Sequence, residues 1–106
     1  MRLSRFQTAA MIAAAERSSF GPFWVALIDA CQLTGMAPAR LLGPIGVFRF
    51  KALHRAAVER LRAVECPFDL ERSRWGHDAM LRAFRQLAAS AGLDGAEDLG
   101  FEALYS

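Results

Sequence analysis

Phe20 to Leu33 reads FGPFWVALIDACQL, and it carries one charge, Asp29, with three aromatics, Phe20, Phe23 and Trp24. A surface helix shows an apolar stripe of roughly 100°. This stretch is apolar almost all round, so it belongs at the centre of a core or in an interface. It is too short to span a bilayer, which needs about 20 apolar residues, so no membrane span is expected. Pro22 suits the first helical turn, where a missing N–H costs nothing. Gly35 is placed to end the helix in a left-handed conformation. The expected element is a nearly all-apolar helix over 22–33.

The chain around it has 106 residues, 54% of them apolar. That suits one domain, near the usual size of about 100–150 residues. Val, Ile and Thr together number only nine, which argues against a sheet. The large apolar residues are plentiful and the net charge is only +2, so disorder is not expected. The fold class is therefore all-α: a small bundle of four main helices plus short helical pieces.

The first helix is expected from about Leu3 to Arg17, with Leu3, Phe6, Ala10 and Ala13 as its packing face. Ser18, Ser19 and Gly21 interrupt it. Pro38 opens a short third helix over Ala39 to Leu42, and Gly43-Pro44-Ile45-Gly46 makes the clearest break in the chain. A fourth helix is expected from Val47 to Glu65, with Val47, Phe50, Leu53, Ala57, Leu61 and Val64 on its stripe. Cys66-Pro67 stops it. Asp69 or Ser73 can cap a fifth helix that runs to about Ala91 with Met80, Phe84, Leu87 and Ala91 inward, and Gly92 ends it. Asp94 and Glu97 have capping-box spacing for a short last helix. Residues 1–93 form the expected helical domain and 94–106 an acidic C-terminal tail or short helix.

Charge is unevenly spread. Residues 1–93 hold all 13 basic residues and 7 acidic ones, whereas 94–106 hold four acids and no base. Twelve of the bases are Arg and one is Lys51. Arginine suits bidentate carboxylate or phosphate partners, and a compositional bias toward Ala, Gly and Arg explains the same surplus. Two cysteines do not make a disulfide framework, and no secretory leader is visible. A reducing, cytoplasmic location is expected, with Cys31 and Cys66 unpaired.

Cys31, His54, Cys66 and His77 lie more than ten residues apart, unlike the close ligand pairs of zinc sites. No metal and no cofactor is expected. His54 and His77 fall on apolar stripes and read as buried neutral imidazoles with hydrogen-bonded partners. Cys66-Pro67 is similar to the Cys-Pro dipeptide of haem-sensing proteins, though a proline after a helix end needs no ligand. Asp29 reads as a partly exposed group or as one half of an ion pair with an Arg of another helix. No serine sits in a Gly-rich elbow and no Gly-rich phosphate cradle occurs, so no enzymatic activity is expected.

Residues 28–42, IDACQLTGMAPARLL, resemble a helix-turn-helix: Cys31 in the first helix, Gly35 four residues later, then Met36, and Leu41 on the second helix. In such families the second helix enters the DNA major groove. A plain helix–Gly–helix corner has the same pattern. Two functions follow as expectations. The first is a non-enzymatic helical subunit or adaptor that assembles with itself or a larger protein, with Phe20, Phe23 and Trp24 as interface candidates. The alternative is a nucleic-acid-binding protein that uses the 28–42 corner, or the basic helix faces carrying Arg49, Lys51, Arg55, Arg62, Arg82 and Arg85.

Overall fold

The computed structural model describes residues 2–71 and 74–105. The chain is all-α. Its helices are α1 (Arg5–Glu16), α2 (Gly21–Thr34), α3 (Pro38–Leu41), α4 (Ala52–Ala63), α5 (Arg74–Ser90) and α6 (Glu102–Tyr105), with 3-10 turns at Val47–Arg49 and Ala96–Asp98.

The near-absence of charge in α2 decides the architecture. Gly21, Phe23, Trp24, Ala26, Leu27, Ile28, Ala30 and Cys31 are all buried, so the helix is covered on most of its circumference. Pro22 sits in its first turn, and Gly35 ends it at φ 68°, its N–H donating to the Cys31 carbonyl at 2.9 Å. Around α2 the other elements wrap. Its aromatics seed a chain of rings: Phe23 and Trp24 meet edge-on at 5.2 Å, both touch Phe68 at 5.9 Å, Trp24 stacks on Phe84 at 6.2 Å, and Phe84 reaches Phe101 at 4.7 Å. Offset and edge-to-face pairs of this kind add to the area they bury.

α1 starts with a capping box: the Gln7 N–H donates to Ser4 Oγ at 3.1 Å and the Ser4 N–H to Gln7 Oε1 at 2.9 Å. Its packing face differs from the expected one. Met11, Ala14 and Ala15 are buried, Leu3 and Ala10 are half-buried, Ala13 is exposed and Phe6 is 87% exposed. Alanines surround this helix, so periodicity selects no single stripe. The turn into α2 selects it instead. A Cβ on Gly21 would come within 2.6 Å of the Ala15 carbonyl oxygen. Only a glycine permits that approach, and it rotates Ala15 and Met11 inward.

The fourth helix also departs from expectation, starting at Ala52 rather than Val47. Val47–Arg49 is a 3-10 turn, and Phe50 is extended at ψ 155°. The break offsets the helical register. Phe50, Ala57, Val58 and Leu61 are buried, while Leu53 is 68% exposed. Arg55 holds the break, its Nε donating to the Phe50 carbonyl at 3.1 Å, a second nitrogen to Phe48 at 3.2 Å, and its guanidinium lying over the Phe48 ring. The helix ends at Ala63, ahead of Cys66-Pro67.

α5 buries Met80, Phe84, Leu87 and Ala88. Its end is a Schellman motif at Gly92, φ +79°: the Gly92 N–H donates to Ala89 and the Leu93 N–H to Ala88. Ser73, a candidate cap for its start, lies outside the described residues, and Asp69 sits five positions before the helix. The expected Asp94–Glu97 box does not form. Gly95, left-handed at φ 71°, precedes the 3-10 turn without any side-chain cap, because that conformation turns the chain away from a helical start. Residues 94–105 still pack closely. Ala96, Ala103 and Leu104 are buried, Arg85 Nε donates to the Leu99 carbonyl at 2.9 Å, and the Leu3 N–H donates to the Ala103 carbonyl at 2.8 Å.

Candidate assembly face

One strip of α2 escapes burial. Pro22, Val25, Asp29 and Leu33 recur at i, i+3, i+7 and i+11, so they share one side of the helix, and none of them is buried. α1 and α4 flank this strip, both antiparallel to α2. Gln32 donates to Thr8 Oγ1 at 2.8 Å near one end of the α1–α2 pair, and Gly21 abuts Ala15 at the other. On α4, Arg60 lies 3.6 Å from Asp29 in an ion pair. The column α4 presents is Leu53, Ala56 and Arg60, with Val64 just past the helix end, and the column of α1 is Arg5, Ala9, Ile12 and Glu16.

Two shallow grooves run through this face. One, of about 420 Å³, is lined by Ile12, Pro22, Val25, Ala26, Asp29, Arg60 and Val64. The other, of about 400 Å³, is lined by Arg2, Leu3, Arg5, Thr8, Ala9, Ile12 and Gln32. They meet at Ile12. The first groove is apolar apart from its ion pair, whereas the second also carries Arg2, Arg5, Thr8 and Gln32. Arg60 and Asp29 are 65% and 55% exposed, and exposed pairs of this kind contribute about 0–1 kcal/mol. This pair orients more than it stabilises.

The aromatic interface candidates lie elsewhere. Phe23 and Trp24 are inside the chain's own core, and Phe20 is partly exposed at the start of α2. Sequence reasoning did not single out Ile12, Val25, Leu33 or Leu53 as surface candidates. A signal for half of them was present: the lone charge of α2 marks the side that faces solvent, and Val25 and Leu33 lie one turn either side of it.

The basic candidates divide in two. Arg55, Arg62 and Arg85 are engaged with the backbone of their own chain. Arg62 Nε donates to the Leu41 carbonyl at 3.0 Å, a second nitrogen to Gly43 at 3.2 Å, and the group covers the Phe50 ring. These bonds tie α4 to the end of α3. Arg62→Ala should therefore lower stability by about 1 kcal/mol, the net worth of a typical hydrogen bond, in a urea titration, since the side chain is exposed. An unchanged midpoint would show that the clamp contributes nothing. Arg49, Lys51 and Arg82 are exposed. The 28–42 corner exists, but α3 has only four residues, and Pro38 and Leu41 are buried.

Cys31 is buried and Cys66 half-buried, and both are free thiols. Burial pushes the Cys31 thiol up to about 12. Cys66 Sγ contacts the Phe68 carbonyl at 3.5 Å. His54 is half-buried, but its Nδ1 has no hydrogen-bond partner among the described residues. The hydrogen-bonded partner expected for this imidazole is thus not found at Nδ1. His77 is half-buried between two further grooves of about 460 and 420 Å³ beside α3. No cluster of three or more His, Cys, Asp or Glu side chains suited to a metal occurs among the described residues. No described helix is long and apolar enough to cross a membrane. Comparison with family models, curated proteins and solved structures gives no match.

Proposed function

We propose that this chain is a non-enzymatic assembly subunit or adaptor that docks another protein surface on the α1–α2–α4 face. One observation carries the reading. The core closes within a single chain, Trp24 and Phe23 included, yet Ile12, Val25 and Val64 still line an open groove around the Asp29–Arg60 pair, and exposed Leu33 and Leu53 follow at helical spacing from Asp29 and Arg60. Contiguous apolar surface rimmed by polar groups is what protein docking sites present. The alternative, nucleic-acid binding, fits less well, because three of its six candidate cations already hold backbone carbonyls.

A photo-crosslinking amino acid placed at Val25, in the middle of the face, tests the reading in cells. Protein adducts should form from Val25 and not from a control position at Arg82 on α5. Equal yields from both positions, no adduct from Val25, or adducts with nucleic acid alone would overturn it.

A further inference from the structure

We infer that the α1 column of this face pairs antiparallel with the same column of a second copy, across a two-fold axis through the middle of the helix. The inference rests on the assembly reading and names its partner. Arg5, Ala9, Ile12 and Glu16 are spaced i, i+4, i+7 and i+11 and share one side of α1. Arg5, Ala9 and Glu16 are exposed and Ile12 is half-buried. Run in the opposite direction, the column reads Glu16, Ile12, Ala9, Arg5. Laid against itself, each Arg5 meets the copy's Glu16, about 16 Å along the axis from its own. Each Ile12 meets the copy's small Ala9. A contact of this kind is isologous: the same patch serves both subunits.

The charges themselves point to a partner. Neither Arg5 nor Glu16 takes part in an ion pair among the described residues. Both are also placed against the helix dipole. The first turn of α1 has no acid and its last turn no base, whereas helices favour negative charge at the start and positive charge at the end. Arg5 at the first position costs the isolated helix, and Glu16 at the last does so in part, with Arg17 beside it as the cap residue. A copy running the other way brings an acid to the first turn, where α1 has none, and a second base beside Glu16 at the last. Two columns three turns long bury less than the roughly 800 Å² per partner of a standard interface, so the dimer is a reversible one in the micromolar range.

Sedimentation velocity on the full chain and its R5E, E16R and R5E/E16R variants tests this. The wild type should show a monomer–dimer equilibrium. R5E and E16R should each weaken it about tenfold or more, since each reversal puts two like-charged contacts into the dimer. R5E/E16R should restore it to within about threefold, because the column is again self-complementary. All three substitutions sit on the exposed side of α1 and suit the helix dipole better than the native charges, so folding, checked by circular dichroism, is retained. A wild type monomeric throughout the micromolar range overturns the inference, as does a double variant no tighter than the single ones. Adducts from Val25 to a different protein, beside a monomeric wild type, remove this inference while leaving the assembly reading standing.

Discussion

Trp24→Ala should destabilise the fold by about 3–5 kcal/mol, the range for emptying a large buried aromatic site. Trp24 is 4% exposed and its ring touches Phe23, Phe68 and Phe84. Removing it leaves three rings facing a void that helices fixed by their own close contacts cannot refill. Domains of this size are stable by only about 5–15 kcal/mol, so the loss is a large fraction of the whole. Urea titration followed by circular dichroism at 222 nm reads it directly. Because the ring is internal, the mass of the folded protein in solution should not change. A loss below about 1 kcal/mol, typical of surface positions, accompanied by a change in mass would move Trp24 from the core to an interface.

The second large effect is chemical. Cys31 has no exposed surface, and burial lifts its thiol from 9.0 to about 12. The thiolate is the reactive form, so at pH 8 alkylation of Cys31 in the folded chain should be about a thousandfold slower than for an ordinary thiol. Cys66, half-buried at the end of the α4 connection, should react first. Mass spectrometry after timed iodoacetamide treatment separates the two sites, and equal rates would place Cys31 at the surface. The same shift sets a pH dependence. A pKa raised by folding means that the native state keeps a proton the unfolded chain loses. The contribution of Cys31 is therefore fully present below pH 9, and stability falls between pH 9 and about 12. Cys31→Ala should flatten that part of the profile.

How much of this could be read from residues alone varies by element. α2 was legible because a helix with one charge has only one side to turn outward. The ends of α2 and α5 were legible because Gly35 and Gly92 take backbone conformations that few other residues adopt. The face of α1 was not, since alanines at 9, 10, 13, 14 and 15 make several stripes equally apolar, and a backbone contact at Gly21 chooses among them. Nor was the start of α4. Val47 to Phe50 has ordinary helical composition, and the break there is held by Arg55 reaching back to carbonyls that local pattern does not reveal. The proposed assembly face combines columns from three helices, and only the α2 column left a mark in the sequence, through Asp29.

The chain of rings from Phe23 through Trp24 and Phe84 to Phe101 has a consequence for how the molecule opens. It joins α2, α5 and the segment before α6 through aromatic contacts that share atoms on both sides. Cooperative units in proteins follow such shared packing. The acidic C-terminal segment is therefore not free to fray by itself: its release uncovers Phe84, the ring that stacks on Trp24. Opening at the end of the chain and opening at its centre become one event. The backbone amides of α6 should then exchange with solvent on the timescale of global unfolding, despite their place in a helix of a single turn.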